Sequence, residues 1–175
     1  MLLFDILNYL CTGIVAYFTY DLIYNPKNSD SFKLVKQDET CITIQHPKKG
    51  SLNSAGWDLY SNQTLKIPPG QRQLVSSGWR LQYLSNGFYL RIAPRSGLAC
   101  KGIDIGAGVV DADYRGEIKV LVINNSALDF MIDTTIRIAQ IIPEKCGNVK
   151  LLVDDDTTPT VLRENRGDGG FGSTG

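Results

Sequence analysis

The fold and the chemistry of this chain turn on one stretch, Phe88 to Glu117, FYLRIAPRSGLACKGIDIGAGVVDADYRGE. It opens on a strand-like apolar run, Phe88, Leu90 and Ile92, and breaks at Pro94. A small polar turn, Arg95-Ser96-Gly97, follows, and then glycine-rich extended chain that ends in the acidic pair Asp111 and Asp113. Gly97, Gly102, Gly106, Gly108 and Gly116 are too frequent for a helix interior, where each costs ~1 kcal/mol relative to alanine. What glycine does allow is close approach of the backbone to a ligand. Backbone N–H groups near Arg95 and Ser96 suit a phosphate, and a carboxylate suits proton abstraction. The stretch reads as a site for an anion beside a base.

Outward from it the pattern is β. Leu34-Val35, Cys41 to Ile44, Thr64 to Ile67, Leu74-Val75, Trp79 to Leu84, Ile118 to Ile123 and Ile136 to Ile142 are short β-branched or alternating runs. Turn signals such as Pro47-Lys48-Lys49-Gly50 and Pro68-Pro69-Gly70 separate them. The series predicts an all-β barrel or sandwich, with a short helical turn at Ser96 to Lys101. A length of 175 residues, 43% hydrophobic and 21% charged, suits one globular domain with a real core.

Eighteen basic residues balance eighteen acidic ones, so there is no electrostatic footprint for long nucleic acid. A phosphate ligand has to be held locally, by a few placed arginines and backbone groups. The four cysteines, Cys11, Cys41, Cys100 and Cys146, form no CxxC pair and read as reduced thiols of an intracellular protein, in cytoplasm or nucleus. The single histidine, His46, lies in a predicted loop beside Pro47, Lys48 and Lys49. The expected base is therefore a carboxylate.

Both ends differ from the middle. Residues 1–24, MLLFDILNYLCTGIVAYFTYDLIY, are the most apolar part, yet Asp5 and Asn8 interrupt them and no Lys or Arg precedes them. Two readings stand: a helix that buries one face on a partner, or a membrane anchor that leaves the rest facing the cytoplasm. Residues 25–32 are a turn-rich linker, residues 33–165 the barrel domain, and residues 166–175, RGDGGFGSTG, a tail with five glycines that is expected to be mobile.

With these residues in hand the chain resembles the trimeric dUTPases, the deoxyuridine triphosphate nucleotidohydrolases. Pro94 to Ala99 and Gly108 to Glu117 are similar to the second and third motifs of that family. Ala55-Gly56-Trp57-Asp58-Leu59-Tyr60-Ser61 resembles the first, with Trp57 where Tyr is usual. Arg137-Ile138-Ala139-Gln140 resembles the fourth, and Arg166 to Gly175 the fifth. Five motifs in order, across residues 33–175, make a far more specific signal than any one of them.

The resemblance implies a distorted jelly-roll-like β-barrel, a homotrimer whose C-terminal tail closes on a neighbouring subunit, and Mg²⁺-dependent hydrolysis of dUTP to dUMP and pyrophosphate. It casts Asp111 as general base, and Gly108 and Val110 as the hairpin that pairs with the uracil edge. Tyr114 is the ring against the deoxyribose, where it bars a 2′-hydroxyl. Arg95, Ser96, Gly97 and Gln140 form a phosphate cradle, and Asp58 holds magnesium through its water shell. In the tail, Phe171 stacks on uracil while Arg166, Gly172, Ser173 and Thr174 hold the γ-phosphate end. Asp113, Arg137 and Trp57 are left open between site and structural roles. Two alternatives stay beside this reading: a deoxycytidine triphosphate deaminase on the same fold, and a protein acting through contacts with other proteins. Arg166-Gly167-Asp168 spells an integrin-recognition tripeptide, but in a chain with no secretion signal.

Overall fold

The computed structural model describes residues 30–40, 44–147 and 149. The chain divides into two units, Met1–Ser31 and Phe32–Gly175, and the first is described only at Asp30 and Ser31. The apolar residues 1–24, the predicted strand residues 41–43 and the whole tail 166–175 lie outside the described residues. Among the described residues no helix is long and apolar enough to cross a membrane.

Eleven strands and one helical turn make up the second unit as described. They are β1 (Phe32–Lys36), β2 (Lys48–Lys49), β3 (Trp57–Tyr60), β4 (Leu65–Ile67), β5 (Arg72–Leu84) and β6 (Phe88–Ala93). After α1 (Ser96–Ala99) come β7 (Ile103–Gly106), β8 (Val109–Val110), β9 (Glu117–Asn124), β10 (Phe130–Ile132) and β11 (Arg137–Lys145). All pairings are antiparallel, in three sheets: β1-β5-β9-β7, β2-β3-β11-β6-β8 and the two-stranded β10-β4. The all-β expectation holds. The run at Ser96 does form a helical turn, because Leu98 and Ala99 N–H groups close on the Arg95 carbonyl at 2.9 Å.

Alternation builds the core. In β9 the residues Ile118, Val120, Val122 and Asn124 are buried while Lys119 is exposed. They meet Leu59, Leu90, Ile138 and Ile141 from the other large sheet, all fully buried. Each such side chain contributes about 1.5–3 kcal/mol relative to exposure. Opposing this is the ordering of the backbone, about 1–2 kcal/mol per residue, so no single contact carries the fold.

One boundary differs from the sequence reading. Leu74-Val75 and Trp79 to Leu84 were expected as separate runs, but β5 is continuous from Arg72 to Leu84. Gly78 takes φ 72°, which bends the strand instead of ending it. The ladder to β9 skips there, from Ser76↔Lys119 to Arg80↔Glu117, so β5 carries a bulge.

Among the described residues, buried polar side chains are paired. Asn124 is fully buried: its amide donates to the carbonyls of Ile67 and Leu128 at 2.8 Å each. Its oxygen accepts from Ser126 N and Oγ at 3.0 and 2.7 Å. On the open face of β6 and β11, Tyr89 donates its hydroxyl to Glu144, and Arg91 Nε reaches the same carboxylate at 2.6 Å. These two contacts hold the Glu144 carboxyl below its ordinary value, and the Tyr89 bond raises the phenol. They staple the two strands. The buried Asn124 network generates a direct test. Asn124→Ala should cost about 2–3 kcal/mol by orphaning two carbonyls and a turn, read in thermal melts as a midpoint lowered by roughly 10 °C. A shift of only a degree or two would mean that water replaces the side chain.

Candidate active site

The first cluster forms where three strands of the larger sheet come side by side. Asp58 of β3 lies opposite Gln140 of β11, and Gln140 lies opposite Ala93 at the end of β6. Just past that end, Arg95 sends Nε to Asp58 Oδ1 at 2.7 Å. Arg137 sends Nη1 to Asp58 Oδ2 at 3.1 Å. Gln140 Nε2 donates to the Pro94 carbonyl at 3.0 Å and ties the turn to β11. The Asp58 side chain is only 15% exposed, whereas Arg137 is 48% exposed. Two guanidinium groups on one carboxylate leave a cluster of net charge +1 at the sheet surface, which suits an anion.

A bulge explains how Arg137 and Gln140 share a face. Three residues apart on a regular strand, they would point to opposite sides. The β3–β11 register shifts between Arg137 and Ala139, so Ile138 enters the core and Arg137 returns to the Asp58 face. Beside the cluster, Ser96 and Gly97 are exposed in the first residues of α1. A Cβ on Gly97 would meet nothing within 4 Å, so the space there is open.

The second cluster lies on the other edge of β6. Strand β8 pairs with it through Leu90↔Val110 and Arg91↔Val109. Gly108 is where glycine is required: a Cβ would stand 2.4 Å from the Ile92 carbonyl oxygen. Ile92 N–H donates to the Gly108 carbonyl at 2.7 Å. The hairpin turns through Ala107, at φ 48°, a left-handed conformation costly for a residue with a Cβ. Asp111 follows β8 directly and is half-buried. Tyr114 N–H closes on the Asp111 carbonyl at 3.1 Å, so Asp111 to Tyr114 is a turn. In a turn, the two-residue spacing of Asp111 and Asp113 does not put them on one side, as it would along an extended strand. The Tyr114 hydroxyl donates to the Glu117 carbonyl at 3.0 Å.

Comparison with known proteins gives these clusters a family. The dUTPase family model matches residues 43–175. The chain belongs to the dUTPase family. It is 41% identical over 153 residues to the deoxyuridine 5′-triphosphate nucleotidohydrolase of vaccinia virus, covering 87% of this chain and 99% of the viral one. The Arabidopsis thaliana protein of the same name is 45% identical over 148 residues, 84% of each chain. Among solved structures, the Staphylococcus bacteriophage 80alpha dUTPase with dUpNHpp matches at TM-score 0.64 and 19% identity, over 84% of this chain and 99% of that one. A mutant dUTPase from phage phi11 of S. aureus, solved for the coordination of a structural Mg(II) ion, matches at TM-score 0.63 and 17% identity, over 73% and 99%. These last two bear on the fold alone.

Against the motif residues of the family, the structure gathers Asp58, Arg95, Arg137 and Gln140 into one cluster, with Ser96 and Gly97 next to it. It places Gly108, Val110, Asp111 and Tyr114 together on the other edge of β6. Arg166, Phe171, Gly172, Ser173 and Thr174 lie outside the described residues. The carboxylate partner of Arg95 in this chain is Asp58. Trp57 is held by the edge of Phe32, with centroids 4.9 Å apart, and by Lys49 Nζ 4.4 Å from its ring. That is a packing role. For magnesium, both Asp58 oxygens already accept from guanidinium groups, so the residue does not suit direct ligation. Each oxygen keeps a second lone pair, which fits a metal-bound water. Among the described residues no cluster of three or more His, Cys, Asp or Glu is available to hold a metal alone.

Reading the sequence missed the pairing of Arg137 with Asp58 and the bulge that makes it. The bulge at Gly78 did leave a signal, a lone glycine inside a strand pattern. The two glycines at the site separate packing from open space. Gly108→Ala should lower unfolding free energy by about 1–3 kcal/mol in denaturant titrations. Gly97→Ala should stay within about 0.5 kcal/mol of the parent. Equal losses at both positions would contradict this difference in surroundings.

Proposed function

We propose that this protein hydrolyses dUTP to dUMP and pyrophosphate. The observation that carries the reading is the arrangement about the end of β6: a guanidinium-rich cradle on one edge and a glycine hairpin leading into Asp111 on the other. Asp111 takes a proton from water, whose oxygen bonds to the α-phosphorus in line. The bond from that phosphorus to the bridging oxygen breaks, and pyrophosphate leaves. Arg95, the Ser96 hydroxyl, the N–H groups of Ser96 and Gly97, and Gln140 bind the polyphosphate and the charge growing on the leaving oxygen. A Mg²⁺ ion bound to the phosphates would supply further charge neutralisation, with Asp58 accepting from its water shell.

Base selection belongs to the hairpin. Gly108 and Val110 offer main-chain groups to the uracil edge, and a narrow hairpin crowds a 5-methyl group. The Tyr114 ring packs against the deoxyribose. Arg166, Phe171, Gly172, Ser173 and Thr174 close the site from the tail. Lid closure excludes water other than the nucleophile.

The assembly is a homotrimer in this reading. Apolar residues on both faces of β9 support it: Leu121 and Ile123 are half-buried on the face opposite the core, and Val109 on the hairpin is 64% exposed. One chain by itself leaves them without full cover, which favours a partner surface.

A pyrophosphate-release assay with dUTP, dTTP, dCTP and UTP tests the reaction, and dUTP alone should be turned over efficiently. Asp111→Asn should lower kcat by about 100-fold or more while dUTP affinity stays within about tenfold. Retention of most of the rate would remove Asp111 as the base. Tail exchange has its own test in two inactive variants, Asp111→Asn with an intact tail and a chain ending before Arg166. Random mixing into trimers should restore roughly a quarter of parental activity, the product of two one-half probabilities. No recovery from verified mixed trimers would mean that each tail closes over its own Asp111.

A further inference from the structure

At the far end of its ring, Tyr114 donates its hydroxyl to the Glu117 carbonyl. Beneath it lies Gly116, where a Cβ would stand 2.5 Å from the Tyr114 oxygen and 2.7 Å from Cζ, so the ring rests on bare backbone. The near end is set by the turn, in which Arg115 Nη1 donates to the carbonyls of Ala112 and Tyr114 at 2.8 and 2.9 Å. One end of the ring is thereby tied to the first residue of β9.

At that residue the ladder is irregular: Glu117 pairs with Arg80, but across a bulge. Between the pairs Ser76↔Lys119 and Arg80↔Glu117, β5 carries two residues more than β9, so the strands are out of step. The Glu117 side chain bridges the gap. Its Oε1 accepts from the Ser76 hydroxyl and from Gly78 N–H, the latter at 3.1 Å. The bulge it grips is itself anchored: Asn62 N–H donates to the Ser76 carbonyl at 2.8 Å, and Ser77 Oγ to the Ile118 carbonyl at 2.6 Å. A carboxylate accepting from a hydroxyl and an amide makes charge-assisted bonds, stronger than neutral ones. Its other oxygen faces the half-exposed Lys119 Nζ only at 3.9 Å, and that pair contributes little. Glu117 and Lys119 occupy one face of β9, yet the Glu117 side chain is 16% exposed and Lys119 is 47% exposed. The Glu117 side chain is turned into the bulge.

We propose that Glu117 is a positioning residue for sugar selection, gripping the β5 bulge through its carboxylate and thereby fixing the carbonyl that holds the Tyr114 ring. The inference rests on the reading of Tyr114 as the ring against the deoxyribose. A loosened ring leaves room for a 2′-hydroxyl, so the loss appears as admitted ribonucleotide.

The measurement is the ratio of kcat/KM for dUTP to that for UTP, with assembly checked on each variant. Glu117→Ala should narrow the ratio by about tenfold, the scale on which a pocket discriminates by shape. Glu117→Gln keeps an acceptor for Ser76 and Gly78 and should restore the parental ratio. An equal fall for both nucleotides in Glu117→Ala, with the ratio unchanged, would overturn the proposal and leave a merely structural residue. Should Glu117→Ala not assemble, Ser76→Ala removes one bond of the same grip and must narrow the ratio in the same direction. No change there counts against the proposal equally. Tyr114→Ala separates the two levels. If it narrows the ratio while Glu117→Ala does not, only the positioning role fails. If Tyr114→Ala leaves the ratio untouched, the sugar-facing reading of the ring fails and the role of Glu117 with it.

Discussion

Strand β11 is hydrogen-bonded along both edges, and that double ladder places the candidate anion site. Gln140 is fixed opposite Asp58 on one side and opposite Ala93 on the other. Residues separated by 79 positions, Asp58 and Arg137, are thereby brought within a hydrogen bond. The same ladder buries Ile138 and Ile141 completely, so the register that builds the cradle is also the register that fills the core. A slip by one residue would exchange every buried and exposed side chain of β11. Site geometry and stability are therefore tied to a single pairing.

Two departures from regular pairing do the fine positioning. The bulge at Ile138 returns Arg137 to the face of Asp58 and gives the carboxylate its second guanidinium group. The bulge about Gly78 interrupts the ladder just before the Arg80↔Glu117 pair, and the Glu117 carboxylate bonds Ser76 and Gly78 across it. Both follow one logic: extra residues in one strand, one at Ile138 and two about Gly78, free a side chain from strict alternation at the cost of ladder bonds, which nearby polar groups replace. Electrostatics complements this. A half-buried carboxylate held between Arg95 and Arg137 keeps both cations on one face of the sheet, an arrangement that suits an anion.

Much of the site was legible because its chemistry needs particular residue types at short spacings. Gly108 had to be glycine, and the reason is now concrete in the 2.4 Å approach to the Ile92 carbonyl. Arg95, Ser96 and Gly97 stand together since a strand must end before a helical turn can present its groups. Asp113 was illegible for a physical reason: whether it shares the side of Asp111 depends on a backbone turn closed by one hydrogen bond, and composition does not reveal it. Arg137 was illegible because alternation along β11 places it on the wrong face unless the bulge is known.

By itself the sequence determined the all-β class, the alternation that selects the buried residues, the glycines at close approaches and the five motifs that identify the family. Those are local properties, set by side-chain volume, β-branching and the freedom of glycine. Only the tertiary structure decided which charges meet. Asp58 lies 37 positions from Arg95 and 79 from Arg137, and nothing in either neighbourhood names its partner. Pairing across strands is set by register, and register is set by the whole buried pattern of both sheets together.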